Sequence, residues 1–256
     1  MKIATFNVNG INGRLARLLE WLAEARPDVV CLQELKTSDA TFPAAALRDA
    51  GYGAAWSGQR GFNGVAMLVR DGEPIVIRRG LPGDESDTQS RYLEAAVDGV
   101  IVACLYLPNG NPQPGPKFDY KLAWFERLIE HAQSLLDSGH PVVLAGDFNV
   151  VPTDDDIYSP KSWLKDALLQ PESRERWRRL LAQGWVDAVP KKHPGQVLYT
   201  FWDYFRKHWE RNAGLRIDFV LLNKALARRL VDAGVDRDVR GRAGASDHAP
   251  VWVQLR

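Results

Sequence analysis

Short apolar, β-branched runs closed by turn residues recur from one end of this chain to the other, at 3–6, 29–32, 65–69, 74–77, 100–107, 142–145, 217–222 and 251–255. Each is too short for an ordinary helix and rich in Val, Ile and Leu, so the runs predict strands. Helical periods lie between some of them. Leu15, Leu18, Leu19 and Leu22 share one face, and Phe118, Leu122, Phe125, Leu128, Ile129, Leu135 and Leu136 share another. Pro27 and Gly139 stand where those helices should stop. A third helix is expected over 172–182, burying Trp177, Leu180 and Leu181, exposing Arg174, Arg176, Arg178 and Arg179, and meeting Gly184. Strands outnumber helices and do not alternate with them, which argues against a doubly wound sheet and for an α/β sandwich of two sheets with outer helices. No low-complexity tract or Gly/Ser linker divides the chain, so residues 1–256 read as one domain.

Composition narrows the class. With 45% hydrophobic and 25% charged residues, the chain is neither disordered nor a disulfide scaffold. It has no run of about 18 apolar residues to span a bilayer, and polar Asn7 and Asn9 interrupt the start before a signal-peptide core develops. A soluble, unexported protein is expected. Cys31 and Cys104 lie inside apolar runs, as reduced, buried thiols of a cytoplasmic protein would. The net charge of +1 conceals an asymmetry: residues 1–156 hold 14 basic and 21 acidic side chains (−7), and residues 157–256 hold 19 and 11 (+8). Such a split suits a protein that holds a cation and a polyanion. Solvated helix faces also collect Arg and Lys, so charge alone leaves both readings open.

Polar residues fall where strands should end: Asn7 and Asn9 after the first, Glu34 after VVCLQ, Asp147 and Asn149 after VVLAG, and Asp247 with His248 before the last. A strand that runs out of the core into a carboxylate loses burial free energy unless a cation or hydrogen-bond partner waits there. Taken singly, each has a plainer reading. Glu34 could pair with Lys36, Asp147 and Asn149 could form an Asx turn, and the histidine of SDHAP could be a satisfied structural residue. Asp154, Asp155 and Asp156 of PTDDD look like a helix start rather than a second metal site. Together, the oxygen donors Asn7, Glu34, Asp147, Asn149 and Asp247 suit a hard cation, Mg²⁺ or Mn²⁺, whose natural use is hydrolysis at phosphate.

The ordered set FNVNG (6–10), LQELK (32–36), LYLPNG (105–110), GDFNVVPTDDD (146–156), GLRIDFVLL (214–222) and SDHAPV (246–251) resembles the exonuclease III family of DNA-repair nucleases, within the endonuclease/exonuclease/phosphatase superfamily. The match spans nearly the whole chain. The resemblance implies a four-layered α/β sandwich, two mixed sheets face to face between helices. It also implies that Glu34 is the principal ligand of one or two Mg²⁺ or Mn²⁺ ions. Asn7, Asn9 and Asp247 would stand around the same cation, with Asp147, Asn149 and His248 in reach. On the same grounds Asp147 orients or deprotonates the attacking water and Asn149 holds the phosphate. His248, partnered by Asp218, faces that phosphate, and Tyr106 contacts it, with Asn109 in the same loop.

The segment FWDYFRKHWERN (201–212) interleaves aromatic and basic residues, as single-stranded or flipped nucleic acid requires. Trp202, Arg206 and Asn212 are therefore expected at the substrate, although Trp202 could equally fill a core layer. By the resemblance, Phe201, Leu215 and Ile217 wall a small apolar pocket for a flipped abasic deoxyribose, and Arg60 of QRGFNG contacts the DNA backbone. The expected function is a DNA-repair phosphodiesterase that cuts duplex DNA 5′ to abasic sites and trims 3′ ends, working as a monomer. Leu215 stands where eukaryotic-type relatives often carry tryptophan, which leaves a predominantly 3′→5′ exonuclease with weak abasic-site activity as an alternative. A superfamily phosphatase or phosphodiesterase for inositol phosphates or lipids is another, but it would carry a phosphate-selective basic loop in place of the 201–212 segment. A secreted DNase would carry disulfides. A non-catalytic nucleic-acid-binding relative would have lost part of the ligand set.

Overall fold

Side-chain alternation along the strands builds this molecule, and the computed structural model describes residues 1–256. One six-stranded sheet contains β1 (Lys2–Asn7), β2 (Val29–Gln33), β3 (Tyr52–Ser57), β4 (Val65–Arg70), β11 (Leu230–Val235) and β12 (Val251–Leu255), in the order β11-β12-β1-β2-β4-β3. The other contains β5 (Ile75–Arg79), β6 (Tyr92–Val97), β7 (Val100–Tyr106), β8 (Val142–Asp147), β9 (Val186–Asp187) and β10 (Asp218–Leu222), in the order β5-β6-β7-β8-β10-β9. Each sheet has a parallel pair at its centre, β1 with β2 and β7 with β8. The long helices are α1 (Ile11–Ala25), α3 (Pro116–Asp137) and α4 (Pro171–Ala182), with the shorter α2 (Ala44–Asp49), α5 (Ala188–Lys192) and α6 (Lys224–Ala227).

Three apolar layers follow from the period of two. Ile3, Val29, Cys31, Val143 and Ala145 point between the sheets into a core of 25 buried residues. Their neighbours Ala4, Phe6, Val30 and Leu32 point outward to Leu18, Trp21 and Leu22 of α1, and Val142 and Leu144 point to Trp124, Phe125 and Leu128 of α3 and Trp177 and Leu180 of α4. The result is a four-layered sandwich with two mixed sheets inside. Both central faces of these strands are covered, which is why their sequences read as continuous apolar runs.

The helix ends lie where the sequence marks them. Arg26 caps α1 in the left-handed region with φ 44, and Pro27 follows. Gly139, φ 74, follows the end of α3. Asp154–Asp156 form a single 3-10 turn closed by a capping box with Thr153, the helix start expected there but one turn long. The apolar runs do not mark β3, β6, β9 and β11. YGAAWS is small and glycine-interrupted, YLEAAV carries a buried Glu94, and LVDAGV is broken by Asp232 and Gly234, so none presents an uninterrupted β-branched run. No helix is long and apolar enough to cross a membrane.

Candidate active site

The inward face of the inner strands stays apolar until the strands end. On β7 it runs Val102, Cys104, Tyr106 and on β8 Val143, Ala145, Asp147, while antiparallel β10 arrives through Leu222 and Val220 at Asp218. Register puts Tyr106 beside Asp147 and Asp147 beside Asp218. From the facing sheet, β1 contributes Asn7 at the same parity as Ile3. All four are buried at the edge of the core. His248 arrives on the loop before β12, bridged to Phe201.

Hydrogen bonds join these ends into one web. The Asn7 amide nitrogen donates to Glu34 Oε1 (3.0 Å) and to Asp147 Oδ2 (2.9 Å), and Tyr106 OH donates to Glu34 Oε1 (2.8 Å). Lys36 Nζ lies 2.7 Å from Glu34 Oε2, and Asn149 N–H donates to Asp147 Oδ1 (2.9 Å). The plain local readings of LQELK and GDFN therefore hold together with a shared site. Asn9, Glu34, Lys36 and Asn149 all sit at left-handed φ, between 45 and 52. That backbone costs a non-glycine residue about 1 kcal/mol or more and concentrates at functional sites.

The charges are held by their surroundings. Burial opposes ionisation of Glu34, yet Lys36 and the Asn7 amide keep its carboxyl below the ordinary value. Burial, followed by the charge of Asp218, pushes Asp147 up to about 7. Burial also works against a charged His248, but Asp218, whose Oδ2 lies 2.8 Å from Nδ1, raises the ring to about 10, with help from Asp147 and Asp247. Thr200 Oγ1 donates to the same Asp218 oxygen at 2.6 Å, fixing that carboxylate. Burial and then Glu34 and Asp147 keep the Tyr106 phenol protonated. Near neutral pH the cleft thus holds an ionised Glu34, an imidazolium and a carboxyl poised to exchange its proton.

Donor atoms of Glu34, Asp147 and His248 lie within 4.8 Å of one another. The other expected ligands lie around this group, Asn9, Asn149 and Asp247 in the same cleft, with their side chains engaged in hydrogen bonds. Asn7 spends its oxygen on Asn9 N–H (3.0 Å) and turns nitrogen towards the carboxylates. Asn149 accepts from Asn109 Nδ2 (3.2 Å) and donates to Leu107 O (2.8 Å). Asp247 accepts from Asn9 Nδ2 (2.9 Å), one step further out. Distance admits His248 to a cation, which would have to displace the proton that Asp218 holds on the ring.

The site opens into a cleft of about 290 Å³ whose apolar wall is Phe201, Ile217, Leu168 and Trp163. Asn109 reaches its rim. Leu215 does not line it: fully buried, it packs behind Phe201 and exchanges backbone hydrogen bonds with it at 2.9 Å. Trp202 is also fully buried, so the core reading of that residue prevails; its Nε1 donates to Asn212 Oδ1 at 3.1 Å, which ties Asn212 to the back of the segment. Arg206 is exposed and lines a neighbouring cavity. Arg60 is exposed on the 58–64 loop, where Gly64, φ 88, allows close packing on Leu35 beside Glu34. Gly64 thus serves the site's own frame.

Sequence reasoning missed Trp163, Leu168, Asp166 and Asp203 in the cleft, which follow no strand-end motif. It also missed Lys121, fully buried on α3, whose Nζ donates to the carbonyls of Asn109 (3.0 Å) and Asn149. A lysine interrupting the apolar stripe between Phe118 and Phe125 was the available signal.

Comparison with known proteins agrees with this geometry. The model of the Endonuclease/Exonuclease/phosphatase family matches residues 4–248. Exodeoxyribonuclease III of Haemophilus influenzae is 35% identical over 268 residues, covering 100% of both chains. The solved structure of a 3′ phosphatase from Neisseria bound to product DNA hairpin superposes with a TM-score of 0.95 at 39% identity, covering 100% of this chain and 99% of that one. An AP endonuclease from Archaeoglobus fulgidus gives 0.95 at 36% identity, with the same coverage. Matched along its whole length by these proteins and over residues 4–248 by the family model, the chain belongs to the endonuclease/exonuclease/phosphatase family.

Proposed function

We propose that this chain, one domain over 1–256, is a Mg²⁺-dependent DNA-repair phosphodiesterase that cuts duplex DNA 5′ to abasic sites and removes nucleotides and blocking groups from 3′ ends. One observation carries the reading: a base candidate near neutrality (Asp147) and a fixed imidazolium (His248) face a single cleft with an apolar wall. That wall suits a sugar without a base. The names of the relatives, exodeoxyribonuclease III, 3′ phosphatase and AP endonuclease, support the same three activities.

The residues fit a hard divalent cation. Half-buried Glu34 and buried Asp147 bring carboxylate oxygens within 4.8 Å of each other, which favours a positive charge between them. These two would hold it, with the Asn7 amide spacing them. When bound, such an ion neutralises charge on the phosphate oxygens. Asp147, held by the Asn7 amide and by Asn149 N–H, takes the proton of the attacking water. His248, locked as imidazolium by Asp218, donates N–H to a phosphate oxygen and offsets the charge that builds there. Tyr106 orients Glu34 through its hydroxyl, and Asn149 acts by aiming Asn109 at the rim. Phe201 and Ile217 receive the sugar, Leu215 backs Phe201, and Arg60 and Arg206 meet phosphates of the duplex. The enzyme works as a monomer in the reducing cytoplasm, where the buried free thiols Cys31 and Cys104 are stable.

The test is a labelled duplex with one internal tetrahydrofuran abasic analogue, incubated with Mg²⁺ or with EDTA and resolved on a denaturing gel. A Mg²⁺-dependent cut immediately 5′ to the analogue is expected; an intact strand in both lanes refutes the reading.

A further inference from the structure

Beside the catalytic cleft, sharing Trp163 and Asp203 with it, lies a second cavity of about 620 Å³. Its size is that of a small-molecule site. The walls are aromatic: Tyr158, Trp163 and Phe205. Trp163 is held by its Nε1 on the Tyr158 hydroxyl (3.3 Å). Phe205, 74% exposed, stands at the mouth, an unusual place to leave a large apolar ring unless it has a partner.

The remaining lining residues are polar or charged: Ser162, Asp203, Arg206 and His208. His208 is only 7% exposed, packs its ring 5.4 Å from that of Tyr158, and buries Nδ1 with no hydrogen-bond partner in the chain. An unsatisfied buried nitrogen on a cavity wall costs stability that a ligand can restore. Arg206 and Lys207 both adopt φ 53, two successive non-glycine residues in the left-handed region. This strained turn sets the positions of Phe205 and Arg206 on one side and His208 on the other.

We infer that this cavity receives the nucleobase of a 3′-terminal nucleotide whose sugar and 5′ phosphate occupy the catalytic cleft. The inference rests on the function proposed above and extends it to base-bearing substrates. A planar base stacks on aromatic faces whatever its identity, and Ser162, Asp203 and His208 offer donors and acceptors to its edge. A cleft sized for a sugar would otherwise have nowhere to put the base. Trp163 stands between the two compartments, where the glycosidic bond would pass.

The experiment compares two duplexes with recessed 3′ ends, identical except that the last nucleotide carries either a base or a tetrahydrofuran. Single-turnover release rates are measured with Mg²⁺ for the wild type, Phe205→Ala and His208→Phe, with melting curves to establish folding. Phe205 is exposed, so its variant keeps the fold, and His208→Phe keeps the ring packing on Tyr158. The ratio of base-bearing to baseless release is expected to fall about fivefold or more in each folded variant, through loss of one base–aromatic contact in Phe205→Ala and of one hydrogen bond to the base edge in His208→Phe. A smaller fall overturns the inference, as does a wild type that releases the baseless end but not the base-bearing one. A wild type that releases neither refutes the parent function instead.

Discussion

His248 Nδ1 lies 2.8 Å from Asp218 Oδ2, and that contact decides the charge of a ring that burial alone would neutralise. The sequence places these residues thirty positions apart in separate motifs, yet they act as one group.

Asp218→Asn removes the charge and keeps the shape. The titration of His248, followed by ring NMR, is expected to drop from about 10 towards its ordinary value, and turnover at pH 7.5 to fall about 100-fold or more. The pair's stabilisation is fully present below the unfolded histidine value of about 6.5 and lost as pH rises through about 10. Wild-type stability measured in EDTA should therefore decline across that window, with a shallower decline in the variant. Unchanged ring titration would refute the coupling.

Asp147 has the same sign of pH dependence, because its value is also raised in the folded state. Between about pH 4 and 7 the folded protein keeps a proton on this carboxyl that the unfolded chain has released, so its contribution to stability falls as pH rises. Asp147→Asn should cut cleavage about 1,000-fold. In EDTA at pH 8 it should unfold at higher urea than the wild type, by roughly 1 kcal/mol or more, because moving a carboxyl's titration midpoint by a single pH unit corresponds to about 1.4 kcal/mol. Residual activity near wild type would remove Asp147 as the base.

Cation binding should be read through Glu34. Glu34→Gln is expected to raise the Mg²⁺ concentration giving half-maximal cleavage by about 10- to 100-fold, the loss typical when a group supporting a metal is replaced. EDTA should abolish cleavage by the wild type. A variant with an unaltered Mg²⁺ titration would exclude Glu34 as a ligand.

Lys121 is a positioning residue. Its removal in Lys121→Met leaves the Asn109 and Asn149 carbonyls without their donor, at a cost of about 1–3 kcal/mol in urea unfolding. The loops carrying both asparagines then lose their brace, so kcat should fall with KM little changed. An effect on KM alone would point to a role in binding instead.

Much of this protein is legible from the residues in order. The apolar runs mark eight of its strands, most of them because strands buried on both faces must be apolar throughout, although the edge strand β5 is exposed. The helix faces and their stops at Pro27 and Gly139 are legible too, because a period of 3.6 and a chain-breaking residue are local signals. So are Glu34, Asp147 and His248, since a charged or titratable group at the end of a buried run is anomalous without knowledge of its partner, whereas Asp218 enters only through the family resemblance. Tertiary structure alone decides the rest. β3, β6 and β11 owe their conformation to pairing with neighbours, not to their own residues. Whether Trp202 and Leu215 face the cleft or the core, which Asn oxygens remain free for a cation, and that Asp147 titrates near 7 while His248 stays charged all depend on distances between segments far apart in the chain. Burial and Coulomb interaction act through space, so residue order can nominate the groups of this site, and only the packed sheets set their orientation and charge.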